Sequence, residues 1–422
     1  MVNMESAGKG QKNRSVYFSL LQKRDFLYLW LANGLWWQAM WMEQLVLGWV
    51  ALSLTDSAWL VALVGFFRNF PLMLIGLFSS FISDRFKRRS TIFVIQVLNA
   101  VGLGLLACLS GFEILEYWHI AAVALAIGTG WALDWPTRRA LIPDLVGKEY
   151  IMDAMVLENV MQSLTRLSGP LGAGIFLATV GEFGALVTLS ATAIVSALIL
   201  LGMKTDARAP MAPGGILATW KSTLEGLRYV KGQPRIFGVL LTTLIMNFWL
   251  FPYMNLLPVF ARDVLQQGPT GLGTLGVFNG LGNFLGLVII NAGRQYWSRE
   301  WIFVGGSLLS CFGLAIFAYS TSFQLSLIML LIAGVGHAGF SIMQGSIVLM
   351  EAADKMRGRA MGTLVLAIGG GPLGRLQSGA MAAAWGAPMA VASMAAFGGL
   401  AILVVMALVP HFIRSRDCGQ KQ

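Results

Sequence analysis

The chain has 422 residues, of which 56% are hydrophobic and 12% charged, against about 45–50% and about 25% in soluble domains. Those proportions exclude an ordinary soluble enzyme or binding domain and predict an all-α membrane protein. The net charge of +10 raises nucleic acid as a partner, but the placement of the cations argues against it.

Residues 1–25 are polar and basic, with no apolar centre or small-residue cleavage site, so they predict a cytoplasmic tail rather than a cleaved signal peptide. Twelve apolar segments follow, each long enough to cross a bilayer core of about 30 Å as a helix. They are predicted near 26–53, 58–80, 91–112, 118–138, 153–180, 183–203, 236–260, 270–291, 301–319, 323–350, 358–385 and 388–410. With the N-terminus inside, every second loop is cytoplasmic. Those loops and the tails then take all of the 30 Lys and Arg except Arg68, Arg166, Arg262 and Arg375. They include "DRFKRRS", "TRRALIPDLVGKEY", "GRQYWSRE" and "DKMRGRA". The outer loops hold Arg262 beside Asp56, Glu113, Glu116, Glu182 and Asp263. Cations that favour the inner side explain the basic balance by orientation alone. A multi-pass protein of the bacterial inner membrane with both termini cytoplasmic is the expectation.

The connector Lys204–Arg235 separates six segments from six, giving an N-terminal bundle over 26–203, a C-terminal bundle over 236–410 and a tail over 411–422. Within the connector, Leu217, Trp220, Leu224 and Leu227 recur at helical intervals, as in an amphipathic helix lying on a membrane surface. The halves echo each other: Gly169-Pro170-Leu171-Gly172 in the fifth segment matches Gly371-Pro372-Leu373-Gly374 in the eleventh. Duplicated six-helix halves are a transporter architecture, with the site between the halves near mid-membrane.

Charges inside a bilayer are costly and usually face a cavity or a partner. In chain order the candidates are Glu43, Arg68, Asp134, Glu158, Arg166 and Arg375. The first segment adds Trp36, Trp37 and Trp41, too deep for an interfacial belt. Trp37, Trp41 and Gln44 share one helical face, which suits a bulky amphipathic ligand; packing against neighbouring helices explains it equally well. On the fifth segment Glu158, Gln162, Thr165 and Gly169 form one polar stripe. Glu158 and Arg166 are about 12 Å apart along the axis, so each needs a partner on another helix. The seventh segment offers Asn247, Trp249 and Tyr253, and the tenth His337, Ser341 and Gln344. Arg375 requires a counter-charge from elsewhere; Glu43 is the expected one, a bound anion the second choice.

Enzyme chemistry is not encoded. "GLGTLG" at Gly271–Gly276 opens a membrane segment with no strand before it, so it is not a dinucleotide site. Cys108, Cys311 and Cys418 have neither metal-ligand nor disulfide spacing. No cofactor and no metal are expected. The predicted partners are a small-molecule substrate, an ion gradient and membrane lipid around a monomer.

Several stretches resemble a known family. "GWVALSLTDSAWLVALVGFFRNFPLMLIG" with "DRFKRR", "DWPTRRALIPDLV", "LLPVFARDVL" and "RGRAMGTLVLAIGGGPLG" are similar to exporters of the major facilitator superfamily, in the enterobactin-exporter-like branch. The resemblance implies a twelve-helix rocker, typically driven by proton antiport. It places the superfamily's loop motif on Asp84, Arg85, Arg88 and Arg89, where it implies an inner-side gate, although Ser80 and Lys87 replace usual glycines. It likewise implies a gating or coupling role for Gly169 and Pro170, with Gly371 and Pro372 as their counterparts. Glu43, Asp134 and Glu158 are the candidates for proton coupling. Trp37, Trp41, Gln44, Arg166, Asn247, His337, Gln344 and Arg375 are the candidates for substrate binding. Uptake of a small metabolite and a non-transporting membrane receptor are the rival readings.

Overall fold

The computed structural model describes residues 16–75, 87–205, 216–293 and 295–409, and among these it contains helices and no strand. The first half comprises α1 (Arg24–Thr55), α2 (Ala58–Ile75), α3 (Arg88–Gly111), α4 (Tyr117–Val146), α5 (Ile151–Thr179) and α6 (Gly181–Leu201). The connector contributes α7 (Ile216–Lys231). The second half comprises α8 (Pro234–Val264), α9 (Gly268–Gly293), α10 (Arg299–Tyr319), α11 (Phe323–Glu351), α12 (Arg357–Trp385, in two pieces) and α13 (Ala387–Leu408).

Eight of these helices are long and apolar enough to cross a membrane by length and composition: α2, α3, α6, α8, α9, α10, α11 and α13. The other four long helices carry most of the internal charges, Glu43 on α1, Asp134 on α4, Glu158 and Arg166 on α5 and Arg375 on α12, while Arg68 lies on α2. Together they make the twelve-helix, two-half architecture of a multi-pass membrane protein. Large apolar side chains such as Leu98, Val101 and Leu198 stand exposed on its flank, as lipid contact requires.

Three departures from the sequence expectation have physical causes. α4 continues through Pro136 and Pro143 to Val146, so Arg138 is a buried residue within a helix and not part of a basic loop. The segment beginning at Pro234 is not one regular helix: π-turns at Met246–Leu250 and Phe260–Val264 flank a short α stretch at Tyr253–Val259. Pro252 and Pro258 each remove a backbone donor there, and wider turns absorb the missing bonds. The two Gly-Pro repeats also differ. Pro170 lies inside an unbroken α5, whereas α12 stops at Ile368 and restarts at Gly371 with Pro372 in its first turn, where proline lacks only a donor already spare.

One face of the molecule, here the basic face, carries Lys23, Arg88, Lys204, Lys231 and Lys355; Asp56, Glu113, Glu182 and Asp263 lie at the other. On the basic face the connector is anchored at both ends. Backbone N–H groups of Lys204 and Thr205 donate to the Asp25 carboxylate of the first half at 3.1 and 2.7 Å. α7 is tied to the second half by Arg359–Glu225 at 3.1 Å and by the Ala353 N–H donating to the Tyr229 hydroxyl at 3.0 Å.

The halves meet closely toward the opposite face. A Cβ on Gly174 of α5 would stand 2.8 Å from the Gly273 Cα of α9, and one on Gly276 would stand 2.5 Å from Pro170 Cβ. Gly379 of α12 meets Trp59 and Ala62 of α2 in the same way. These glycines are where backbones touch without side chains between them. At the rim, Arg262 of α8 reaches across to the first half: its guanidinium pairs with Asp56 at 2.7 Å and donates to the Leu52 carbonyl at 3.0 Å, while also holding Asp263.

Candidate functional site at the interface of the halves

The three deep tryptophans of α1 each receive a charged group. The Arg138 guanidinium lies 4.9 Å over Trp36, and that of Arg166 lies 5.0 Å over Trp41. Trp37 donates its indole N–H to Glu158 Oε1 at 3.3 Å. Cation–ring contact in a desolvated site contributes about 2 kcal/mol, so the tryptophans hold charges that water would hold elsewhere. Trp36 and Trp37 are buried against these partners, while Trp41 faces the junction of the halves.

The carboxylates fall into two kinds. Glu43 is engaged twice by Arg68, at 3.0 and 3.3 Å, with both side chains buried. This corrects the expected Glu43–Arg375 pair: Arg68, one helix away within the same half, takes the carboxylate. Asp134, with no exposed surface, accepts from Arg138 one turn along α4 at 2.9 Å. Glu158 has no cation within ion-pair distance among the described residues. Its Oε1 accepts from Asn33 at 2.8 Å and from Trp37, and its buried Oε2 has no hydrogen-bond partner. Asn33 also accepts from Arg138 at 2.7 Å, so one amide links the two clusters. Neither Asn33 nor Arg138 was among the sequence candidates. The i,i+4 spacing of Asp134 and Arg138 was the available signal, hidden by the run of cations that follows. A gap of about 30 Å³ beside Glu43, Arg68, Gln96 and Trp131 is large enough for a water.

The two arginines beside the Gly-Pro repeats are differently placed. Arg166 sits between the halves, with Nη2 3.3 Å from His337 Nδ1 on α11. The His337 ring is itself stacked on Phe251 at 4.6 Å. Arg166, Trp41, Gln44 and Pro170 from the first half, with Met254, Leu257 and Asn279 from the second, line a gap of about 20 Å³. Gln44 donates to Asn255 across that junction at 3.4 Å. Arg375 makes no hydrogen bond or ion pair among the described residues, and its buried Nε is unpartnered. Arg68 is the charged neighbour whose field reaches it. Asn247, on the first π-turn, donates to the Thr243 carbonyl at 2.9 Å and lies near Gly371. Trp249 packs against Phe397 and Gly398 of α13. Gln344 Oε1 and the Tyr253 hydroxyl are further buried polar atoms without partners among the described residues.

Around the Gly-Pro positions, a Cβ on Gly169 would meet Trp41 Cβ at 2.5 Å, while Gly374 packs on the backbone of Phe248. Of the loop motif, Arg88 pairs with Asp144 and donates to the Ala140 carbonyl, and Arg89 donates to the carbonyls of Leu200 and Leu201. Asp84 and Arg85 lie outside the described residues. Among the described residues no cluster of potential metal ligands occurs.

Comparison with known proteins agrees with this architecture. The chain is 25% identical over 366 residues to the enterobactin exporter of Shigella boydii, covering 84% of each. It is 23% identical to the staphyloferrin A transporter of Staphylococcus aureus, covering 65% of this chain and 68% of that one. An uncharacterised transporter of Bacillus subtilis is 23% identical, the match spanning 57% of this chain and just over half, 56%, of that relative. Among solved structures, the peptide-transporter-family protein PepTSo superposes with a TM-score of 0.74 at 14% identity, covering 93% of this chain and 99% of that one. An inward-facing bacterial homologue of the lysosomal transporter Spinster superposes at 0.69 with 16% identity, covering 92% and 96%. At such identities these structures establish the shared fold and nothing finer. Residues 15–420 match the family described as transmembrane secretion effector, and the chain belongs to that family of major facilitator transporters.

Proposed function

We propose that the protein is a proton-coupled exporter of a small amphipathic anion, a siderophore-like metabolite or drug, working by alternating access. The observation that carries the reading is the pair of uncompensated cations. Arg166 from one half and Arg375 from the other have no carboxylate within 4 Å among the described residues. A half-buried cation inside a bilayer without a counter-charge is costly, so an anion arriving between the halves would relieve both. Trp41, His337, Gln344 and Asn247 would supply the aromatic wall and the hydrogen bonds of an amphipathic ligand. The names of the two siderophore-transporting relatives agree with such a substrate.

Glu158 is the favoured proton carrier. Glu43 and Asp134 are held by arginines, whereas Glu158 accepts only from the neutral donors Asn33 and Trp37. Protonation there removes a charge without stripping a cation of its partner. The basic face is then the cytoplasmic one, with both termini on it, and the contacts across the opposite face make the described state open inward. The motif arginines Arg88 and Arg89 and the glycines of α5 and α12 belong to the elements that move. The test is flux in proteoliposomes with an imposed pH gradient, using anionic, neutral and cationic amphipathic probes. Arg375→Ala should lose anion transport selectively, and Arg375→Lys should restore part, because lysine lacks the planar fork of arginine. Equal loss for all probe charges would make Arg375 a structural residue. Anion movement with the proton gradient, rather than against it, would make the protein an uptake system.

A further inference from the structure

We infer that the groove between α3 and α6 is a specific seat for one chain of an anionic phospholipid, with Arg89 taking its headgroup. The groove encloses about 270 Å³, far more than the gaps beside Glu43 and Arg166, and its seven lining side chains are all apolar. They are Phe93, Val97, Ala100 and Val101 of α3 and Ile194, Ala197 and Leu198 of α6.

Both ends of the groove are fixed by named contacts. Toward mid-membrane the helices cross tightly: Ser190 donates its hydroxyl to the Ala100 carbonyl at 2.8 Å, and a Cβ on Gly104 would stand 3.1 Å from the same hydroxyl. Between that crossing and the basic face the two helices leave the groove. There Arg89 bridges them, donating from Nε to the Leu200 carbonyl at 3.0 Å and from Nη2 to the Leu201 carbonyl at 2.9 Å.

Arg89, Phe93, Val97 and Val101 step by four along α3, so the arginine stands at the end of the same stripe that lines the groove. The eleven residue steps from Arg89 to Ala100 span about 16 Å. That is about half of a bilayer core of about 30 Å, the depth of one leaflet. Arg88 is neutralised by Asp144, but Arg89 has no carboxylate partner among the described residues. The two helix-end carbonyls offer it only partial charges, leaving a full cation at the headgroup level. An apolar slot one leaflet deep, capped by an uncompensated guanidinium, matches an acyl chain ending in a phosphate. This site lies on the lipid flank of one half, so it stands apart from the proposed transport site.

The experiment is native mass spectrometry of the full-length protein released from detergent with equal amounts of dioleoyl-phosphatidylglycerol and dioleoyl-phosphatidylcholine. The unsubstituted protein should retain the anionic lipid about five-fold better, the preference expected of one basic residue near a charged headgroup. Arg89→Gln keeps a donor for the end of α6 and should abolish the preference while still retaining lipid. Val101→Trp, filling the groove from its exposed rim, should lower retention of both lipids. If Arg89→Gln does not fold, salt titration of the unsubstituted protein serves instead, since raised salt should erase the preference and leave total retention. Equal retention of the two lipids, an unchanged preference in Arg89→Gln or at high salt, or undiminished retention in Val101→Trp would each overturn the assignment.

Discussion

Gly174 offers the most direct way to bias the two halves, because a methyl group there has nowhere to go. Its Cβ would stand 2.8 Å from Gly273 Cα and 2.9 Å from the Pro269 carbonyl, both backbone atoms of the opposite half. Overpacking of this kind costs about 1–3 kcal/mol. The cost falls only on the conformation in which α5 and α9 are in contact. An equilibrium between two arrangements of the halves should therefore shift about five- to 150-fold away from the one described. The assay is pulsed electron–electron spacing between spin labels on Ile114→Cys and Thr321→Cys, in loops of the two halves on the acidic face, with Cys108, Cys311 and Cys418 replaced by alanine. Gly174→Ala should lengthen the distance distribution. Gly345→Ala, in a helix position with open space around it, should leave it unchanged. A folded Gly174→Ala protein with an unchanged distribution would refute the idea that this contact holds the halves together.

Three further outcomes are expected. Arg262→Gln should shift the same distance distribution in the same direction but less, by about five-fold at most, because its partner Asp56 is largely exposed and such pairs contribute about 0–1 kcal/mol. Arg68→Gln should lower the thermal stability of the purified protein by the equivalent of about 3–5 kcal/mol, since Glu43 would be left buried and unpaired; Glu43→Gln in the same chain should recover most of that loss. Glu158→Gln should retain counterflow exchange of substrate in proteoliposomes while losing accumulation driven by a pH gradient, and undiminished accumulation would remove Glu158 as the proton carrier.

The membrane architecture was legible because it is written in segment length, and length needs no knowledge of neighbours. The same holds for the doubled Gly-Pro sequence, which by itself puts Arg166 and Arg375 in matching helices. What spacing along one helix cannot encode is which other helix lies alongside. Glu43 therefore had Arg375 as its expected partner on grounds of depth, whereas Arg68 reaches it from within the first half. Arg138 was misplaced for a different reason: it opens a run of cations, and such runs mark loops unless a carboxylate stands four residues back, as Asp134 does. The regular α8 expected from its apolar composition failed at Pro252 and Pro258, whose missing donors are absorbed by wider turns. For the face of Trp37, Trp41 and Gln44 a ligand wall and plain packing were equally good readings from sequence, since the contacts of Trp36 with Arg138 and of Trp37 with Glu158 come from other helices.

The two anchorages of the connector have a mechanical consequence. Thr205 moves with the first half through Asp25, and α7 moves with the second through Glu225 and Tyr229. The covalent tether between the halves is thus not the whole Lys204–Arg235 stretch but residues 206–215. Eleven residue steps from Thr205 to Ile216 reach at most about 36–40 Å, which sets a hard limit on how far those two points can separate in any transport cycle. Length added inside 206–215 relaxes that limit with both anchors intact. Length added within α7 would instead turn Glu225 and Tyr229 off their partners and loosen the grip itself.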